Sequence, residues 1–144
     1  MLHNDRQPLP ILICRQLLFC EQCTADDRGR INFLGVFNQL NGEQFPLRHE
    51  LFEAAFELAA LRRPVIHEML VIGLTVTLDS RPVGVFSKTM DDVTIESGRS
   101  LSTNLDLSSL VFEEPGEYRT QLTVNGRVVA TRPLAVCLVG ERTG

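Results

Sequence analysis

"GEYRTQLTVNGRVVATRPLAVCLV", residues 116–139, carries the clearest strand-and-turn signal in the chain. Tyr118, Leu122 and Val124 fall on one side of a period of two. Arg119, Gln121 and Thr123 fall on the other, the alternation of a strand with one buried face. Asn125-Gly126 follows directly and suits the two positive-φ positions of a type I′ turn, whose twist matches the strands it joins. Val128–Thr131 leaves that turn. Leu134–Val139 is apolar at every position, the pattern of a central strand covered on both faces. Pro115-Gly116 supplies the turn leading in. The stretch predicts an antiparallel hairpin.

Upstream segments repeat the signal. Leu70, Ile72, Leu74, Val76 and Leu78 alternate with Val71, Gly73, Thr75 and Thr77. Asp79-Ser80-Arg81 then turns the chain into Val83–Ser87. Pro82 has no N–H to give to a ladder, which places that return strand at an edge. Leu101–Val111 sets Leu101, Thr103, Leu105 and Leu107 against Ser102, Asn104, Asp106 and Ser108. Nearer the N-terminus, Leu17–Cys23 and Ile31–Leu40 flank the polar loop Asp26-Asp27-Arg28-Gly29-Arg30 and read as a second hairpin.

Glu50–Arg63 satisfies two periods. A helix would put Glu50, Glu53 and Glu57 on one side, and propensity slightly favours it. A strand would oppose Phe52, Ala54, Phe56, Leu58 and Ala60 to Glu53 and Glu57. Every neighbouring segment is a strand and a lone helix would have to cover a sheet by itself, so the strand is preferred. With Gly and Pro recurring at short intervals, the chain reads as all-β: an antiparallel two-sheet β-sandwich, immunoglobulin-like or jelly-roll-like, of seven to nine strands. One domain is expected over 11–140, with a flexible leader at 1–10 and a short tail at 141–144.

Composition narrows the class. The chain has 144 residues, 44% hydrophobic and 22% charged, and 14 basic against 18 acidic side chains leave a net charge of −4. A domain of this length buries roughly 68–70% of its unfolded surface, so no disulfide framework is required. Mild acidity argues against binding a phosphate backbone. No apolar run reaches the ~20 residues that span a bilayer. Ile11–Cys14 is interrupted by Arg15-Gln16, and Phe19 ahead of Cys20 is too bulky for a cleavage site, so no export signal is read. A cytoplasmic chain keeps Cys14, Cys20, Cys23 and Cys137 reduced.

Cys20-Glu21-Gln22-Cys23 is the sharpest local motif. Two thiolates at this spacing can hold part of a Zn²⁺ site, yet a structural site needs four ligands and no second pair exists. Cys14, Cys137, His49 and His67 are the only remaining candidates. The simpler reading makes these cysteines small buried apolar residues, with Cys14 and Cys20 on one strand face because both positions are even. A thioredoxin-like role is disfavoured because the pair does not lie between a strand and a helix. Asp26-Asp27 and Asp91-Asp92 fall in expected loops and lack the spacing of a calcium loop, so both read as solvated turns. His3 lies in the leader, His49 in a loop and His67 ahead of a strand. No Gly-x-Ser-x-Gly elbow or phosphate loop occurs, and Arg62-Arg63 reads as a charged strand end. No catalytic or cofactor-binding residue is assigned, and no cofactor is expected.

Three stretches carry a resemblance: "GRINFLGVFNQL" (29–40), "FPLRHELFEAAFEL" (45–58) and "EPGEYRTQLTVNGRVVATRPLAV" (114–136). Over roughly residues 16–139 the chain resembles a domain-of-unknown-function family of small, uncharacterised bacterial proteins with a β-sandwich fold. The resemblance implies that a strand follows the Phe45-Pro46 segment. Gly35 and the Pro115-Gly116-Glu117-Tyr118 turn match the pattern, both for reasons of backbone geometry. It supplies no catalytic or binding residues, and Cys20 and Cys23 are not assigned to it.

The expected role is non-enzymatic: a binding or assembly module whose partner is another protein or a second copy of the chain, as a homodimer. The motive is that open sheets expose strand edges, and only Pro82 is legible as a guard. The alternative is a small zinc-binding protein using Cys20 and Cys23. A carbohydrate-binding module is disfavoured because there is no Trp and the single Tyr, Tyr118, is expected to face inward. Neither nucleic acid nor membrane is an expected partner.

Overall fold

A computed structural model describes residues 11–28 and 30–139. There the chain forms strands β1 (Ile11–Ala25), β2 (Ile31–Phe37), β3 (Gln39–Gly42), β4 (Leu47–Arg48), β5 (Glu53–Leu61) and β6 (Val65–Leu78). β7 (Arg81–Ile95), β8 (Ser100–Asp106), β9 (Val111–Phe112), β10 (Gly116–Val124) and β11 (Arg127–Leu138) follow. No helix occurs among the described residues. The expected leader at 1–10 and tail at 141–144 lie outside them.

The strands form a four-stranded sheet in the order β2-β1-β5-β8, a five-stranded sheet in the order β3-β11-β10-β6-β7, and the two-stranded ribbon β4-β9. The all-β class holds, whereas the expectation of seven to nine strands in purely antiparallel sheets does not. Among the described residues there are eleven strands, and β3 runs parallel to β11, with Gln39–Gly42 beside Ala135–Leu138. Two apolar runs that look continuous in sequence are cut by tertiary pairing. Ile31–Leu40 breaks at Asn38, where the chain leaves the four-stranded sheet and joins the five-stranded one. Leu101–Val111 breaks after Asp106, whose Oδ1 accepts the Ser108 N–H at 2.9 Å. Leu110 N–H then donates to the Leu107 carbonyl at 3.0 Å, closing a turn.

The C-terminal hairpin forms as read. β10 and β11 are antiparallel, and Asn125 and Gly126 sit at φ 49° and 83°. Asn125 also ties the turn to β6: its N–H donates to the Val71 carbonyl at 2.8 Å, and its Oδ1 accepts the Val71 N–H at 2.7 Å. On β11, Leu134 and Val136 are buried but Ala135 and Cys137 are only half-buried. The strand is therefore not covered on both faces as its composition implied.

Leu70, Ile72, Leu74, Val76 and Leu78 are all buried on β6, and Asp79 and Ser80 make a two-residue turn at φ 51° and 66°. The returning β7 lies at the sheet edge, as Pro82 requires, but it runs on to Ile95. Asp91-Asp92 thus lies inside a strand rather than a loop, and His67 lies within β6 rather than ahead of it.

Glu50–Arg63 resolves as β5, between β1 and β8. Ala54, Phe56, Leu58 and Ala60 are buried on one face, Ala55 and Ala59 on the other. Two flanking strands satisfy its backbone and burial outweighs the small helical preference of Ala, Leu and Glu. One apolar cluster takes Phe19, Phe56 and Leu58 from the four-stranded sheet and Ile72, Leu74, Leu122 and Leu134 from the five-stranded one. Tyr118 faces inward as expected. Its ring meets Phe112 edge-on at 4.9 Å and its hydroxyl donates to the Glu114 carbonyl at 2.6 Å.

Candidate functional site

Side-chain parity is broken once along β1 and once along its partner β2, and this decides where the cysteines go. Cys14 pairs with Leu58 but Gln16 pairs with Glu57, so Arg15 is an extra residue bulged out of the ladder. A bulge of one residue moves every later side chain to the opposite face. Cys14 accordingly packs on the shared core, whereas Cys20 joins Leu18 and Ala55 on the outer face of the four-stranded sheet. The expectation that Cys14 and Cys20 share a face is corrected.

The second break lies at Gly35. Phe33 and Phe37 have the same parity in sequence, yet Phe33 packs on the outer cluster and Phe37 on the core. Between them Gly35 sits at φ 65°, a left-handed conformation that costs little only without a Cβ. A Cβ there would also meet the Glu21 side chain, 2.7 Å from Cγ and 2.8 Å from Cδ. Beside this kink His49 stacks on Phe37, with ring centroids 5.5 Å apart and planes at 11°, and its Nε2 lies 3.9 Å from Glu21 Oε2. The kinked hairpin brings Cys23 and Phe33 back against Cys20, Leu18 and Ala55.

Cys20 and Cys23 therefore come together, but no third ligand among the described residues does. Among the described residues no three His, Cys, Asp or Glu side chains converge on a metal position. All four cysteines are free thiols. Burial, then the charges of Cys23 and Glu53, push the Cys20 thiol up to about 11, and burial raises Cys23 as well. A thiol held protonated at neutral pH is a poor nucleophile. The zinc alternative is not favoured. Asp26 is a turn residue as expected: Oδ1 accepts the N–H groups of Arg28 and Arg30 at 2.9 and 2.8 Å. These bonds, with the Arg30 guanidinium at 2.7 Å, hold its carboxyl below the usual range.

Among the described residues, the four edges of the two larger sheets differ sharply. β7 carries Pro82 and Asp91-Asp92. β8 is guarded from across the core, because Lys88 on β7 donates from Nζ to Thr103 Oγ1 at 2.8 Å and to the Asn104 carbonyl at 3.1 Å. β3 has only four residues. β2 has seven residues, Ile-Asn-Phe-Leu-Gly-Val-Phe, with no charge and no proline. Its Leu34 and Val36 are 52% and 57% exposed. The sequence showed Pro82 as a guard but could not show Lys88, which acts on another strand in another sheet.

On the outer face of the same sheet, the hairpin tip and the β5–β8 pair enclose a cleft of about 230 Å³. Ile31, Phe33 and Ala55 supply apolar wall, while Gln16, Glu57 and Asn104 supply polar groups. Asn104 Nδ2 donates to Glu53 Oε1 beside it. None of these residues was singled out by motif, because they come from four strands and no two of the polar ones are close in sequence.

Fold and site together define a small all-β protein whose accessible features are an open strand edge and a shallow cleft. The chain belongs to the family of unknown function DUF6941, whose profile matches residues 15–137, in line with the resemblance read from its sequence. Among solved structures it is similar to an immunoglobulin-like protein from Pseudomonas aeruginosa. The two are 12% identical, with 88% of this chain and 96% of that chain covered and a TM-score of 0.40. No curated protein matches the chain. Among the described residues no helix is long and apolar enough to cross a membrane.

Proposed function

We propose that the protein is a non-enzymatic assembly module that pairs with a second copy of itself along β2. In this reading the two larger sheets act as the layers of an immunoglobulin-like sandwich, and the four-stranded layer continues into its partner. The carrying observation is the contrast between β2 and the guarded or shortened edges β7, β8 and β3. An edge strand presents unpaired N–H and C=O groups, which natural sheets blunt with charge, proline or short length. β2 has none of these devices and carries exposed Leu34 and Val36 instead. Because β2 is uncharged, an antiparallel copy laid against it meets no like-charge opposition. Such a contact is isologous and closes at two subunits.

The test is sedimentation equilibrium of the full chain across the micromolar range. A dimer is expected, reduced to monomer by Val36→Lys or Leu34→Lys, while Val85→Lys on the guarded β7 edge leaves it intact. A wild-type monomer throughout, or a dimer indifferent to both β2 lysines, overturns the proposal. Unchanged far-UV circular dichroism shows that the variants remain folded.

A further inference from the structure

We infer that the cleft between the hairpin tip and the β5–β8 pair binds a small organic cation, a primary amine carried on a short apolar body. Its volume of about 230 Å³ equals roughly seven to eight waters at ~30 Å³ each. That lies below the ~300 Å³ at which drug-sized sites begin, so the occupant is short. Ile31, Phe33 and Ala55 offer an apolar surface to its body.

The charge follows from the polar lining. Among the described residues no Lys, Arg or His lines the cleft. The Glu57 carboxylate forms no ion pair and accepts no hydrogen bond among the described residues. Four residues earlier on the same face of β5, outside the cleft lining, the Glu53 carboxylate accepts a hydrogen bond from the Asn104 amide. An anion would meet the Glu57 carboxylate, and a neutral ligand would leave it without a charged partner. An ammonium group has three donors and no acceptor, matching the Glu57 carboxylate and the Gln16 amide oxygen. Charge-assisted bonds of this kind are about twice as strong as neutral ones.

The kink at Gly35 is what makes the cleft, since it carries Phe33 to the outer face. The sequence alternation alone would place that face of the sheet flat and open. This site does not depend on pairing through β2.

The experiment follows backbone amide shifts of the full chain titrated with phenethylamine, with 2-phenylethanol as the neutral isostere and phenylacetate as the anion. Saturable shifts at Phe33, Ala55 and Asn104 are expected for the amine, with binding at least about tenfold weaker for the alcohol and none for the acid. Glu57→Gln, with an unchanged urea midpoint, is expected to weaken the amine about tenfold or more. Val36→Lys leaves it unaltered, so failure of the β2 reading and failure of this one are distinguishable. Equal binding of amine and alcohol, an unaltered Glu57→Gln variant, or the absence of saturable shifts at these residues overturns the inference.

Discussion

Replacing Tyr118 by phenylalanine removes one oxygen from the centre of the molecule and leaves the ring in place. Tyr118 is 1% exposed, so its packing on Phe112 at 4.9 Å should survive the change. What is lost is the 2.6 Å bond from the hydroxyl to the Glu114 carbonyl. A net intramolecular hydrogen bond contributes about 0.5–1.5 kcal/mol, and a buried acceptor left unpaired costs about 1–3. Glu114 is an exposed residue, so water can reach its carbonyl and the smaller range applies. The expected loss is about 1 kcal/mol. For a chain of this size that is a fall of about 2–4 °C in Tm. Urea denaturation should show a lower midpoint at unchanged m-value. Tyr118→Ala, which also empties the ring volume, should cost about 3–5 kcal/mol. A phenylalanine variant within ~0.3 kcal/mol of wild type would show that the hydroxyl contributes nothing to the corner between Glu114 and β10. A loss equal to that of the alanine variant would show that the ring had moved.

Two further outcomes follow from the hairpin. Gly35→Ala places a Cβ at φ 65° against the Glu21 side chain, and left-handed strain alone costs about 1–2 kcal/mol. A lower urea midpoint of that size is expected, and an unmoved midpoint would refute the steric account of the kink. The Cys20 thiol is raised from 9.0 to about 11 by burial. A folded-state pKa above the unfolded value means its contribution is fully present below 9.0 and is lost as pH rises toward 11. Wild type should therefore lose urea resistance over that window faster than Cys20→Ala, and parallel profiles would refute the burial of the thiol.

Features that depend on neighbours two residues apart, or on a turn, were legible in the sequence. Leu70–Leu78 buries one face because its apolar residues alternate, and Asn125-Gly126 reverses the chain because only such residues hold two positive φ values cheaply. Tyr118 faces inward for the same periodic reason. Pro82 marks an edge because it lacks an N–H. Even the preference for a strand over Glu50–Arg63 followed from its neighbours, although its own composition leaned to a helix.

Which face and which sheet each segment serves was set by strand pairing in the fold. The bulge at Arg15 sends Cys14 and Cys20 to opposite faces, and Gly35 returns Phe33 and Cys23 to the outer one. A single inserted residue leaves the local pattern intact while reversing everything beyond it, so alternation cannot reveal it. The crossing at Asn38, the stop at Asp106 and the guarding of β8 by Lys88 likewise depend on partners remote in sequence. The cleft gathers Gln16, Phe33, Glu57 and Asn104 from four strands. Periodicity is a property of one strand, whereas register, bulges and edges are properties of pairs, and they are fixed only when the partner strand is in place.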